Sequence, residues 1–230
     1  MNIAIVLSGG IGSRMGLDIP KQYILVNNQP VINYCLKTFL DNEMTDAIVI
    51  GVADEWKEYV DESIRRLNPR KPIYYASAGE TRQYSIYNAL RVIQENGFNA
   101  DDIVLIHDAA RPLVSHDLIN RCYGGCKNAD GIMPVIPLKD TVYVSKDGKR
   151  IQALLNRSQL WAGQAPEAFK FGAYIKVHDE MGRDELLKIT GSTEIAYKAG
   201  LNCHLIEGDP INFKITTPDD LLNFENILSK

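Results

Sequence analysis

The chain has 230 residues, 45% apolar and 23% charged, with a formal net charge of −4. That apolar fraction is enough for one substantial core, and a single domain over residues 1–230 is the expectation at this length. Acidic and basic residues are interspersed, which excludes the broad basic face of a nucleic-acid binder, and no uncharged apolar stretch is long enough to span a membrane.

The first residues carry no basic leader and run straight into an apolar segment, so the expected location is the cytoplasm. Residues 3–7 are continuously apolar and end in Ser8-Gly9-Gly10, the pattern of a strand buried on both faces and followed by a turn. The pattern recurs at 47–52 and 103–106, with helical periodicity at 31–40, 56–66 and 85–95 between these strands. Alternating β and α segments predict an α/β fold with a doubly wound, mostly parallel, Rossmann-like sheet. Ligands of such sheets sit beyond the carboxyl ends of the strands, which directs attention to residues 8–21, 78–85 and 107–112. Further on, two β-prone runs at 141–144 and 151–155 flank Asp147-Gly148, a favoured type I′ turn pair. An isolated hairpin is marginally stable in water, so residues 137–158 are expected to form a protruding arm that packs on a second subunit. The alternative is a hairpin folded back on its own sheet. The four cysteines, Cys35, Cys122, Cys126 and Cys203, have neither zinc spacing nor a CxxC pair and read as small buried residues.

Three segments carry chemistry. In Leu7-Ser8-Gly9-Gly10-Ile11-Gly12-Ser13-Arg14-Met15-Gly16 the glycines let backbone N–H groups approach a phosphate chain, and Arg14 and Lys21 supply cations to clamp it. Met15 at the third glycine position breaks the dinucleotide fingerprint, and no Gly-Lys-Ser/Thr follows, so NAD binding and P-loop chemistry are both unsupported. In His107-Asp108-Ala109-Ala110-Arg111-Pro112 a carboxylate stands at the end of a central strand, a position suited to Mg²⁺ with phosphates and water as its other ligands. An ion pair or helix cap is the plainer reading of Asp108 and Arg111, and His107 reads as a hydrogen-bonded core residue. Near the C-terminus, Lys214 is expected in a short apolar strand, ahead of a helix that starts at Thr216 or Thr217 with Pro218, Asp219 and Asp220 in its first turn.

In this order, together with Pro20-Lys21-Gln22, residues 79–85 with Arg82, Asp140-Thr141, and Arg157, the blocks closely resemble the 2-C-methyl-D-erythritol 4-phosphate and ribitol-5-phosphate cytidylyltransferase family, nearly end to end. The resemblance implies transfer of CMP from CTP to a small polyol phosphate with release of pyrophosphate. It implies that Ser8, Gly9, Gly10, Gly12, Gly79, Glu80, Arg82, Ser85, Asp108 and Ala109 border the nucleotide, and that Arg14, Lys21 and Lys214 surround the triphosphate. It further implies that Asp108 faces Mg²⁺, and that Arg111, Thr190, Thr141 and Arg157 serve the polyol phosphate, the last two from the partner of a homodimer. Erythritol-type members usually carry Thr-Asp-Glu-Ala-Ser where this chain has Thr190-Gly191-Ser192-Thr193-Glu194. With Ser115-His116 and residues 161–166, this departure looks more like the ribitol branch, although Glu194 offers a replacement carboxylate. Two rivals stand beside this reading: a non-catalytic nucleotide-binding module, and a sugar-1-phosphate nucleotidyltransferase that uses UTP or GTP.

Overall fold

The computed structural model describes residues 1–10 and 19–229. In chain order the first half contains β1 (Asn2–Leu7), a small hairpin of β2 (Leu25–Val26) and β3 (Gln29–Pro30), α1 (Val31–Asp41), β4 (Ala47–Val52), α2 (Lys57–Arg65), β5 (Ile73–Ser77), α3 (Arg82–Glu95) and β6 (Ile103–Asp108). The second half adds α4 (His116–Gly125), β7 (Gly131–Pro137), β8 (Tyr143–Val144), β9 (Ala153–Leu154), β10 (Trp161–Gly163), β11 (Glu167–Lys170), α5 (Phe171–Glu180), α6 (Arg183–Leu186), α7 (Ser192–Lys198), β12 (Cys203–Glu207) and α8 (Pro218–Leu228). Among the described residues no helix is long and apolar enough to cross a membrane.

One eight-stranded sheet runs β10-β7-β11-β6-β1-β4-β5, with β12 also paired to β7. Strands β6, β1, β4 and β5 are mutually parallel, as the apolar runs predict, while β10 and β11 run antiparallel to β7. Period-two alternation divides each central strand between two cores. Ala4, Val6, Ile48 and Ile50 pack with Ile32, Leu36, Val60 and Leu118 on one face. Ile3, Ile5, Val49 and Ile106 pack with Ile86, Leu90, Tyr174 and Ile195 on the other. Burial on both faces explains why these strands read as unbroken apolar runs instead of alternating ones.

Three local expectations are revised. Helix α3 begins at Arg82, three residues earlier than its periodicity suggests, because Thr81 caps it and accepts from the Tyr84 N–H at 3.3 Å. The fourth position of that cap is Tyr84, so the Glu or Gln that would complete a capping box is missing from the sequence. The arm's turn is not a two-residue Asp147-Gly148 loop. Pairing of Tyr143 with Leu154 and Val144 with Ala153 leaves residues 145–152 between the strands. Inside this loop Asp147 Oδ1 accepts from the N–H groups of Lys149 and Arg150 at 2.9 and 3.0 Å, and Gly148 takes φ +67°. The carboxylate closes a local turn that competes with the type I′ geometry. Strands β8 and β9 pair only with each other and do not extend the main sheet. Finally, Lys214 lies in irregular backbone and not in a strand, held by the Ile215 N–H bond to the Ala110 carbonyl at 2.8 Å. The helix after it begins as expected, with Thr217 and Asp220 forming a reciprocal capping box.

Candidate active site

The carboxyl ends of β1 and β6 and the first turn of α3 enclose a cavity of about 430 Å³. Of the residues singled out from the sequence, Gly9, Gly10, Lys21, Gly79, Glu80, Arg82, Ser85, Asp108 and Lys214 line it. Gly12 and Arg14 lie outside the described residues. Ser8 and Ala109 are buried behind the lining: the Ser8 hydroxyl donates to the Gly51 carbonyl at 2.9 Å, and the Ala109 N–H to the Leu7 carbonyl at 3.0 Å.

Two glycines in the walls are required by close approach. A Cβ at Gly9 would stand 2.4 Å from Ala78 Cβ, and one at Gly79 would stand 2.4 Å from Tyr84 Cβ and 2.8 Å from the Ser85 nitrogen. The strand-β1 loop therefore packs on Ala78, and the 78–81 loop on the first turn of α3, with no room for a side chain at either glycine. Ser85 Oγ holds the second loop by accepting from the Gly79 N–H at 2.9 Å.

Asp108 is the electrostatic centre. Its Oδ1 is 3.1 Å from Arg82 Nε, and its Oδ2 is 2.9 Å from Lys214 Nζ and 3.7 Å from Arg111 Nε. Burial alone pushes the carboxyl up, but Arg82, then Lys214 and Arg111, outweigh it and hold the group well below the usual carboxylate range. Asp108 is therefore ionised at any working pH. Arg111 serves this carboxylate from below and donates through Nη1 to the Asn212 carbonyl at 2.7 Å, so it braces the 210–217 segment. The plainer reading of Asp108 with Arg111 as an ion pair is thus realised, with Arg82 and Lys214 added to it. His107, fully buried, places Nε2 2.9 Å from the Arg111 carbonyl, and burial drops its pKa to about 4. It is a neutral core residue, as its sequence context suggests.

Several contacts had no sequence signal. Gln22 Nε2 donates to the carbonyls of both Ser8 and Gly10, at 2.6 and 2.8 Å, and the Tyr23 hydroxyl donates to the Ser8 carbonyl at 3.0 Å. The Lys21–Tyr23 turn thereby fixes the start of the glycine loop, and Tyr23 is itself stacked on Trp56 with ring centroids 4.7 Å apart. Glu167 and Ser192 both bond Arg82. None of these pairings has a fixed sequence offset by which it could be read.

The polyol-side candidates are dispersed. Thr190 donates its N–H and hydroxyl to Glu194 Oε2, both at 2.8 Å, just before α7. Thr141 and Arg157 are exposed on the arm, where Arg157 donates to the Lys139 carbonyl. Neither they nor Thr190 line the cavity in a single chain.

A phosphate-sized basin ringed by cations at strand ends suits a nucleoside triphosphate. The model of the 2-C-methyl-D-erythritol 4-phosphate cytidylyltransferase family matches residues 2–230. The chain belongs to that family. It is a CTP-dependent nucleotidyltransferase, which excludes the non-catalytic module as well as the UTP- or GTP-using class. It is 37% identical to the 2-C-methyl-D-erythritol 4-phosphate cytidylyltransferase of Clostridium beijerinckii, over 95% of this chain and 94% of that one. It is 32% identical to the ribitol-5-phosphate cytidylyltransferase of Vibrio parahaemolyticus, over 99% of this chain and 96% of that one. Among solved structures, the 2-C-methyl-D-erythritol 4-phosphate cytidylyltransferase of Francisella tularensis superposes with a TM-score of 0.80 at 34% identity, covering 97% of this chain and 99% of that chain.

The buried histidines of this cytidylyltransferase make its stability depend on pH. His178, like His107, is pushed to about 4 by burial; its Nε2 lies 2.6 Å from Gln83 Nε2 and its Nδ1 2.8 Å from the Tyr174 carbonyl. Between the unfolded value near 6.5 and the folded value near 4, the unfolded chain binds protons that the folded chain does not. Stability therefore falls as pH is lowered through that window, by up to roughly 3 kcal/mol per histidine. Urea titrations from pH 7 to 5 check this: His178→Gln should reduce the pH slope of stability by about one proton. An unchanged slope would contradict the assignment.

Proposed function

We propose that the chain transfers CMP from CTP to a straight-chain polyol phosphate of the ribitol 5-phosphate type, forming a CDP-polyol and pyrophosphate. Gly191 carries this reading. The resembling erythritol-type members have an acid there, and among the described residues a Cβ built on Gly191 meets only Glu194 Cβ, at 3.8 Å, so the position is open toward them. Glu194 is held locally, its Oε2 accepting from the Thr190 N–H and hydroxyl and its Oε1 pairing with Lys198 at 2.8 Å, which directs it away from the place of that acid in this reading. The second reading is 2-C-methyl-D-erythritol 4-phosphate as acceptor, favoured by the family match and by relatives such as the Clostridium beijerinckii enzyme.

In either case a phosphate oxygen, already ionised at neutral pH, attacks the α-phosphorus of CTP in line while pyrophosphate leaves. The work is positioning and charge neutralisation, and no dedicated base is needed. Lys21 and Lys214, with Arg14, offset repulsion between the two anions and stabilise charge on the pentacoordinate phosphorus. Glu80, Gly79 and Ser85 border the nucleoside end of the cavity. Among the described residues no group of three His, Cys, Asp or Glu side chains is placed to hold a metal. The site therefore fits Mg²⁺ only as an ion that takes most of its ligands from phosphates and water, with Asp108 as the protein's contribution. When bound, it would neutralise phosphate charge. Thr141 and Arg157 reach the acceptor from a second subunit in this reading.

Support for that dimer comes from the arm, where Tyr143, Ile151 and Leu154 are 54, 70 and 64% exposed, and from an apolar groove at the arm's base that includes Pro137, Leu138, Trp161 and Leu205. Apolar exposure of this extent on a two-stranded arm calls for a covering surface. Sedimentation should give a dimer at assay concentration; a fully active monomer would refute the arm's role. Lys21→Ala should lower turnover about a hundred- to thousand-fold, the effect of removing one transition-state charge contact. A folded variant with near-normal turnover would remove Lys21 from the mechanism. The acceptor is decided by kcat/KM with CTP for ribitol 5-phosphate and 2-C-methyl-D-erythritol 4-phosphate, because a site built for one pattern of hydroxyls rejects another in that ratio. An advantage for the methylerythritol compound would establish the second reading.

A further inference from the structure

Arg82 is the first residue of α3, and each nitrogen of its guanidinium meets a different element. Nε pairs with Asp108 at the end of β6, Nη1 donates to Ser192 Oγ at the start of α7, and Nη2 is 3.6 Å from Glu167 Oε1 on β11. The other oxygen of Glu167 accepts from the Thr193 N–H at 2.9 Å and from its hydroxyl at 2.6 Å. The Glu167 side chain is only 8% exposed, and Ser192 is fully buried, its carbonyl accepting from the Tyr174 hydroxyl at 3.0 Å. The transfer mechanism uses none of Glu167, Ser192 and Thr193.

A buried carboxylate is costly unless charge partners and hydrogen bonds compensate it. Both oxygens of Glu167 are engaged, one by the cation that lines the CTP cavity and the other by the turn that follows Thr190 and Gly191. Three side chains from outside the local segment bond this turn among the described residues: Tyr174 holds the Ser192 carbonyl, Arg82 the Ser192 hydroxyl, and Glu167, from the sheet, holds Thr193. We propose that Glu167 is a positioning residue that sets the 190–193 turn against the nucleotide cavity, so that acceptor recognition depends on it and CTP binding does not. This rests on the reading that the 190–193 turn borders the acceptor. Arg82 keeps Asp108 and Ser192 when Glu167 is altered, whereas Thr193 has no other side-chain acceptor among the described residues.

Glu167→Gln tests the proposal with nearly constant shape. An amide offers one accepting and one donating end, so it cannot serve three donors, and either Arg82 or Thr193 must lose its partner. With the full-length chain, the KM for the acceptor should rise roughly tenfold, the loss expected of one charge-assisted hydrogen bond, while the KM for CTP stays close to wild type. Thr193→Val should act in the same direction, and the double variant should be less impaired than the two single effects combined. Amide hydrogen exchange should quicken at residues 190–194 in Glu167→Gln. An unchanged acceptor KM, an equal rise in both KM values, or unchanged exchange at 190–194 would overturn the proposal. Failure of the wild-type chain to turn over any polyol phosphate would instead overturn the functional reading, and the exchange measurement would still decide the role of Glu167.

Discussion

Asp108 sits where the last residue of a strand buried over five of its six residues meets a cavity, and three cations, two of them from distant parts of the chain, converge on its carboxylate. Taking an ionised carboxylate out of water is unfavourable by several kcal/mol, and only close charge partners offset it. Arg82 brings α3 to the strand end, Lys214 brings the segment that precedes α8, and Arg111 closes the loop after β6. Removing the carboxylate would leave those cations facing one another without the counter-charge they share. With Glu167 and Glu80 counted, three acids meet Arg82, Arg111, Lys214 and Arg183, the last paired with Glu80, which leaves an excess of one positive charge before Lys21 is added. That sign suits a site that must receive two polyanions.

The neutral counterpart to this cluster is the support beneath the glycine loop. A loop that offers its N–H groups to phosphate needs its carbonyls turned elsewhere and satisfied. Gln22 accepts that task for Ser8 and Gly10, and Tyr23 adds a bond to Ser8 while its ring rests on Trp56, with Tyr59 edge-on at 5.7 Å. The residue that presents Lys21 is thus the neighbour of the residue that orients the loop. A change at either is felt by the other, since the two share a single turn of three residues.

Acceptor-side candidates have a different character. Thr190, Thr141 and Arg157 are exposed or engaged locally, and none reaches the cavity within one chain. The residues proposed to border the nucleotide lie at strand ends and the first turn of α3, whereas the proposed acceptor contacts lie on a turn and an arm. Elements with few buried contacts are the ones able to vary between relatives that handle erythritol-type and ribitol-type substrates.

Residue type and spacing alone determined the central strands, the doubly wound arrangement and the family, because burial on both faces writes continuous apolar runs and the glycine, Asp108 and Lys214 blocks are short and local. The helix cap at Thr217 was equally legible, since its partner Asp220 lies three residues away. Two local features were ambiguous in sequence: α3 is capped by Thr81 without the usual capping-box acid, and in the arm's loop the Asp147 side chain outcompetes a favoured turn pair. Others were decided only by tertiary structure. The roles of Gln22, Glu167 and Ser192 arise from contacts across 12 to 110 positions in the chain, which no local pattern encodes. Sequence specifies which groups can bear charge or bend the backbone; only folding brings a buried carboxylate within reach of the cations that make its burial tolerable.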